Sequence, residues 1–153
     1  MKKIILPMLS LIFALGCSTA RYFPKEFDEK VEFGMSLGSF ERLKNDRVSK
    51  QDDGMPFRHV YLEEVTALPF EFIGYYFDDD NNKPLYEVII SYKDIKVRDQ
   101  VARDLFGSPN AENNSEWHLK PKNGPEIKAW THKQKLVIVA LIPETEWHPD
   151  ENS

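Results

Sequence analysis

Hydrophobic residues in this chain recur at two spacings, one helical and one alternating or unbroken, and the switch between them predicts the elements. Leu37, Phe40 and Leu43 follow Ser36, whose hydroxyl can accept a free N–H of a first helical turn. Met35 and Phe40 occupy the two places of a hydrophobic staple, so a helix is predicted over residues 37–45. Polar Asn45-Asp46-Arg47 leads out of it toward turn-forming residues 51–56, read as a loop. Strands are predicted at 58–65, 70–77 and 85–92, the last two rich in aromatic and β-branched residues. The turn formers of 78–84 make the last two strands a hairpin. Within 85–92, period two places Tyr86, Val88, Ile90 and Tyr92 on one face and Glu87 and Ser91 on the other.

A second helix follows Asp94, with Val97, Val101 and Leu105 spaced by four and Ala102 and Phe106 widening the stripe. Gly107 fits its left-handed stop and Pro109 prevents continuation. Segments 115–120, 126–133 and 135–142 then read as strands, the last apolar on both faces and therefore central. From Glu144 onward the chain is acidic, contains a proline and is expected to fray. Short turns between strands imply antiparallel pairing. The expected fold is α+β: an antiparallel sheet with two helices packed on one face, in an order that suggests a duplicated α-β-β(-β) unit.

The N-terminus follows a different pattern. Lys2 and Lys3 precede an apolar run over 4–15 that is too short for a membrane-spanning helix, and small residues Gly16, Ser18 and Ala20 follow. Such an arrangement is a secretory signal peptide, over residues 1–16. The chain's single cysteine, Cys17, ends it. Ala14-Leu15-Gly16-Cys17 resembles the lipobox of bacterial lipoproteins, in which the cysteine is acylated and becomes the new N-terminus. The family's usual leucine three places before the cysteine is Ala14 here. The resemblance implies lipidation at Cys17, and Ser18 after it resembles the class sorted to the outer membrane. Ordinary cleavage after Ala20 is the alternative, and would leave a mature chain with no cysteine. Either way no disulfide can form, so the domain relies on its core. Residues 17–30 are read as lipidated cysteine and tether, 31–143 as one domain and 144–153 as an acidic tail.

Composition narrows the function classes. Without residues 1–16 the chain keeps 18 basic and 25 acidic side chains, a formal charge of −7. That balance argues against nucleic acid as a partner and against direct adhesion to anionic lipid. Candidate chemistry is sparse. Tryptophan and histidine pair at Trp117-His118, Trp130 with His132, and Trp147-His148, and neutral imidazoles on adjacent strands suit zinc or copper. If Trp117 and Trp130 are both buried, His118 points outward while His132 shares the face of Trp130, so isolated surface histidines are the expectation and no metal is assigned. Asp78, Asp80 and Asn82 imitate the start of an EF-hand loop, but Lys83 and Ile89 stand where that loop needs glycine and glutamate. Glu63 and Glu64 are consecutive and would point to opposite faces of a strand. Asn113-Asn114-Ser115 matches a glycosylation sequon, a match without meaning behind a bacterial lipoprotein signal. The sequence holds no nucleophile elbow, zinc-protease helix or phosphate loop, so no catalytic residue and no cofactor are assigned.

Gly34-Met35-Ser36 opening a short helix, with Tyr76-Phe77-Asp78-Asp79-Asp80 and Leu85-Tyr86 after it, resembles the small outer-membrane lipoproteins of the SmpA/OmlA (BamE-like) type over residues 33–92. Ser39 stands where that family often has an acid, and Phe106-Gly107-Ser108-Pro109 is similar to its helix exit, though after the second helix. The resemblance implies a non-enzymatic module that aids outer-membrane protein assembly or stability. The expected function is therefore a lipid-anchored binding or structural module of the envelope. It would be held to the outer membrane by lipid and engage another envelope protein by a sheet face or edge. The rivals are a periplasmic binder of a small ligand or metal and an envelope hydrolase.

Overall fold

A computed structural model describes residues 22–149 apart from 29, 67, 68, 81 and 112. The signal segment and Cys17 lie outside the described residues. The chain is mixed α+β, with one seven-stranded antiparallel sheet and two helices: α1 (Leu37–Lys44), β1 (Ser49–Gln51), β2 (Arg58–Glu64), β3 (Phe70–Asp78), β4 (Leu85–Tyr92), α2 (Ile95–Phe106), β5 (Glu116–Leu119), β6 (Ile127–His132) and β7 (Lys135–Ala140). The strand order is β1-β2-β3-β4-β7-β6-β5, which makes β7 central, in keeping with its apolar residues on both faces.

Local signals fix the helix ends. Ser36 Oγ accepts from Ser39 N at 3.3 Å, and Asp94 Oδ1 accepts from Lys96 N at 2.7 Å. Gly107 stops α2 at φ +77°, a conformation open to glycine at little cost, and its N–H donates to Arg103 O. Gly34, at φ +83°, donates to Leu85 O while Leu85 N–H returns to Met35 O, so the Gly-Met-Ser segment ties the start of α1 to the β3–β4 hairpin.

Tyr61, Tyr75, Val88, Ile138, Ala129 and Trp117 form a cross-strand row from β2 to β5 on one face, and all belong to the core. Phe40 of α1, fully buried, meets Tyr75 and Phe77 at ring separations of 4.7 and 4.9 Å, and Phe106 of α2 meets Trp117 at 5.8 Å.

Four expectations are corrected. The described residues of 22–30 are not a loose tether: Phe23 and Phe27 stack at 4.6 Å, Phe27 reaches Tyr75, and Val31 is buried in the same core. Two i to i+3 turns carry this segment, with Phe27 N–H donating to Pro24 O and Val31 N–H to Asp28 O. Residues 49–51, outside any expected element, form edge strand β1, which is polar and has no hydrophobic pattern to betray it. The tail does not fray where it is described, since residues 145–148 dock on the sheet.

The fourth correction lies in β4. Tyr76 faces Glu87 while Phe77 faces Leu85, leaving Tyr86 as an extra residue, a β-bulge. Alternation is broken there. Leu85 takes the core position beside Val88, Ile90 and Tyr92, and Tyr86 joins Glu87 on the opposite face.

Candidate functional site

The opposite face of the sheet carries the row Gln51, Val60, Tyr76, Glu87, Val139, Lys128 and His118. The C-terminal segment crosses one end of this face. Glu146 accepts from Arg58 Nη1 at 2.9 Å and from Tyr86 Oη at 2.7 Å. Trp147 Nε1 donates to Glu87 Oε2 at 2.8 Å, and its ring meets Trp130 edge-on at 5.3 Å. The bulge is what permits this. It presents two consecutive side chains, Tyr86 and Glu87, to two consecutive residues of the segment.

The electrostatics follow from burial. Glu87 is 5 % exposed, and burial pushes its carboxyl up to about 7; the negative charge of Glu146 adds to the rise, while the Trp147 N–H and Arg58 oppose it. Burial also raises the Tyr86 hydroxyl, with the hydrogen bond to Glu146 acting in the same direction. Arg58 also pairs with Asp53 at 2.7 Å, which keeps the guanidinium charged despite partial burial.

Beside Trp147 the surface dips into a depression of roughly 450 Å³ lined by Glu116, His118, Lys128, Trp130 and Trp147, with Asn113 at its rim. His118, Trp130 and Trp147 were conspicuous in the sequence, but Trp117 and Trp130 are not both buried in the core. Register pairs Glu116 with Trp130 and Trp117 with Ala129, so the two tryptophans lie on opposite faces. Trp117 enters the core and donates to Gly107 O, whereas Trp130 shares the outer face with His118 and His132. His118 Nε2 contacts Glu126 at 2.8 Å, and Lys120 pairs with the same carboxylate at 3.1 Å. His148 belongs to the docked segment. Among the described residues no three His, Cys, Asp or Glu side chains are grouped to hold a metal.

The remaining candidates separate. Asp78 Oδ1 accepts from Asp80 N at 2.8 Å and Lys83 N–H donates to Asp80 O, the bonds of a hairpin turn with Asn82 and Lys83 at positive φ. Glu63 and Glu64 do face opposite ways. Glu63 accepts from Lys44 Nζ at 2.8 Å and from Tyr75 Oη, inside a cluster where Lys44 is 2 % exposed and lies over the Tyr75 ring. That part-buried ion pair was invisible in sequence, because its members lie 19 residues apart on different elements and neither has a motif.

No described helix is long and apolar enough to cross a membrane. No family model matches the chain, and neither a curated protein nor a solved structure matches it.

Proposed function

We propose that this chain is a lipid-anchored, non-enzymatic binding or structural module of the bacterial envelope, held to the outer membrane through Cys17. The observation that carries the reading is the Ala-Leu-Gly-Cys sequence closing a short apolar run behind Lys2 and Lys3. Two or three acyl chains, at about 0.8 kcal/mol per buried methylene, suffice for a stable anchor. The packed domain begins at Phe23, six positions beyond Cys17. Fully extended, that leash spans about 20 Å at ~3.3–3.6 Å per residue, so the domain would ride close to the bilayer.

The partner is another envelope protein, engaged at the outer sheet face or at the β1 edge, and the BamE-like resemblance favours a role in outer-membrane protein assembly or stability. Both helices cover the other face, a reading supported by the shared core that Phe40 and Phe106 enter. The halves α1-β2-β3-β4 and α2-β5-β6-β7 are one unit duplicated. The strand order supports this, because it reads the same from either end once β1 is set aside.

Fractionation tests the anchor. Cys17→Ser should release the protein from membranes, and retention of the variant on them would refute lipidation. Photo-crosslinkers at Gln51, Leu62 and Phe72 should capture one and the same envelope protein, and failure at all three refutes the face as the interface. A second reading, as a small-ligand binder, is favoured by the tryptophan-lined depression.

A further inference from the structure

We propose that the depression beside the paired rings of Trp130 and Trp147 binds an uncharged sugar ring, an inference that rests on the small-ligand reading and not on the anchor at Cys17. A sugar ring has an apolar C–H face and a rim of hydroxyls that both donate and accept. It therefore needs an aromatic platform beside polar groups of both kinds, within a concavity of the usual small-ligand size.

The platform is present and held in place. Trp147 is 37 % exposed, yet its indole N–H is bound to Glu87, its ring rests against Trp130, and neighbouring Glu146 is bound to Arg58 and Tyr86. An exposed aromatic fixed in this way loses little freedom when a ligand stacks on it. The rim supplies the rest. Lys128 is exposed and has no ion-pair partner among the described residues. The Glu116 carboxylate is held by the Asn113 carboxamide at 2.9 Å, and His118 is oriented by Glu126. Donors and acceptors thus converge on a pocket of roughly 450 Å³. Charge does not favour an anion: the lining carries one ammonium, Lys128, and one carboxylate, Glu116, while Glu126 beside it is already paired with Lys120.

Titration of the full chain with chitotriose and with maltotriose, read by indole emission and by calorimetry, tests the site. At least one trisaccharide should bind saturably in the micromolar to millimolar range. Affinity should fall by about tenfold or more in Trp147→Ala and in Lys128→Ala. Trp147→Ala also removes a tie of the C-terminal segment, so Lys128→Ala, at an exposed position, separates loss of binding from loss of folding. No saturable binding of either trisaccharide overturns the proposal, as does binding unchanged in both variants. Saturation by indole-3-acetate alone would assign the pocket to a planar aromatic anion and likewise overturn it.

Discussion

Replacing Glu87 by glutamine should make the protein more stable, and only above a defined pH. In the folded chain burial holds this carboxyl at about 7, against 4.5 ordinarily. Its surroundings comprise Trp147 and Glu146 from the C-terminal segment, Arg58 of β2, Tyr76 of β3 and Tyr86 of β4. The folded state thus keeps a proton that the unfolded chain releases above 4.5, so stability falls as pH rises from there and levels off beyond about 7. The interval corresponds to about 3 kcal/mol, at ~1.36 kcal/mol per unit. Glutamine retains an oxygen for the Trp147 N–H and cannot ionise. Urea denaturation of wild type and Glu87→Gln should give near-equal stabilities near pH 5 and a variant more stable by about 2–3 kcal/mol near pH 8. The lowered carboxyls of Asp28 and Asp53 give the opposite slope in acid, but they are common to both proteins and cancel in the difference. A difference that stayed flat with pH would refute a buried, protonated Glu87.

Other parts of the fold can be probed by calorimetry or chemical denaturation. Phe40→Ala, opening a cavity among Tyr61, Tyr75 and Phe77, should cost about 3–5 kcal/mol. Ser36→Ala removes the acceptor for Ser39 N and should cost about 1 kcal/mol with no change in the sheet's circular dichroism. Lys44→Ala leaves the part-buried Glu63 carboxylate with the Tyr75 hydroxyl but without its ammonium and should cost about 1–3 kcal/mol, whereas Lys44→Met with Glu63→Gln should recover part of that loss. Deleting Tyr86 should be tolerated about as well as Tyr86→Ala, since removing the bulged residue leaves Leu85 and Glu87 on their present faces. Global unfolding of the deletion alone would refute the bulge.

Local chemistry explains what the sequence revealed of this fold. Ser36 and Asp94 cap their helices with hydrogen bonds inside one turn, and Gly107 stops α2 within its own residue, so spacing alone located both helices. β3 and β4 were the most legible strands because β-branched and aromatic residues cluster in them, whereas β2 carried the weakest strand signal. β1 was not legible, because its three residues are polar and become a strand only by pairing with Val60, Tyr61 and Leu62. Phe23, Phe27 and Val31 did carry a signal, a spacing of four that the charged residues between them disguised.

The candidate site failed to show itself for a different reason. Trp130, Trp147 and His118 were conspicuous as residue types, but what organises them is a one-residue slip in β4, and a period-two reading passes through Tyr86 without registering it. Had alternation held, Tyr86 would enter the core and Leu85 would face outward, and Glu146 would lose the Tyr86 hydroxyl. The slip places Tyr86 and Glu87 side by side, 60 residues before the Glu146 and Trp147 they bind. A tail that reads as acidic and unstructured thereby acquires two buried partners in succession. Its tryptophan, which in a frayed end would have no reason to be there, was the one sequence signal that could have predicted the docking.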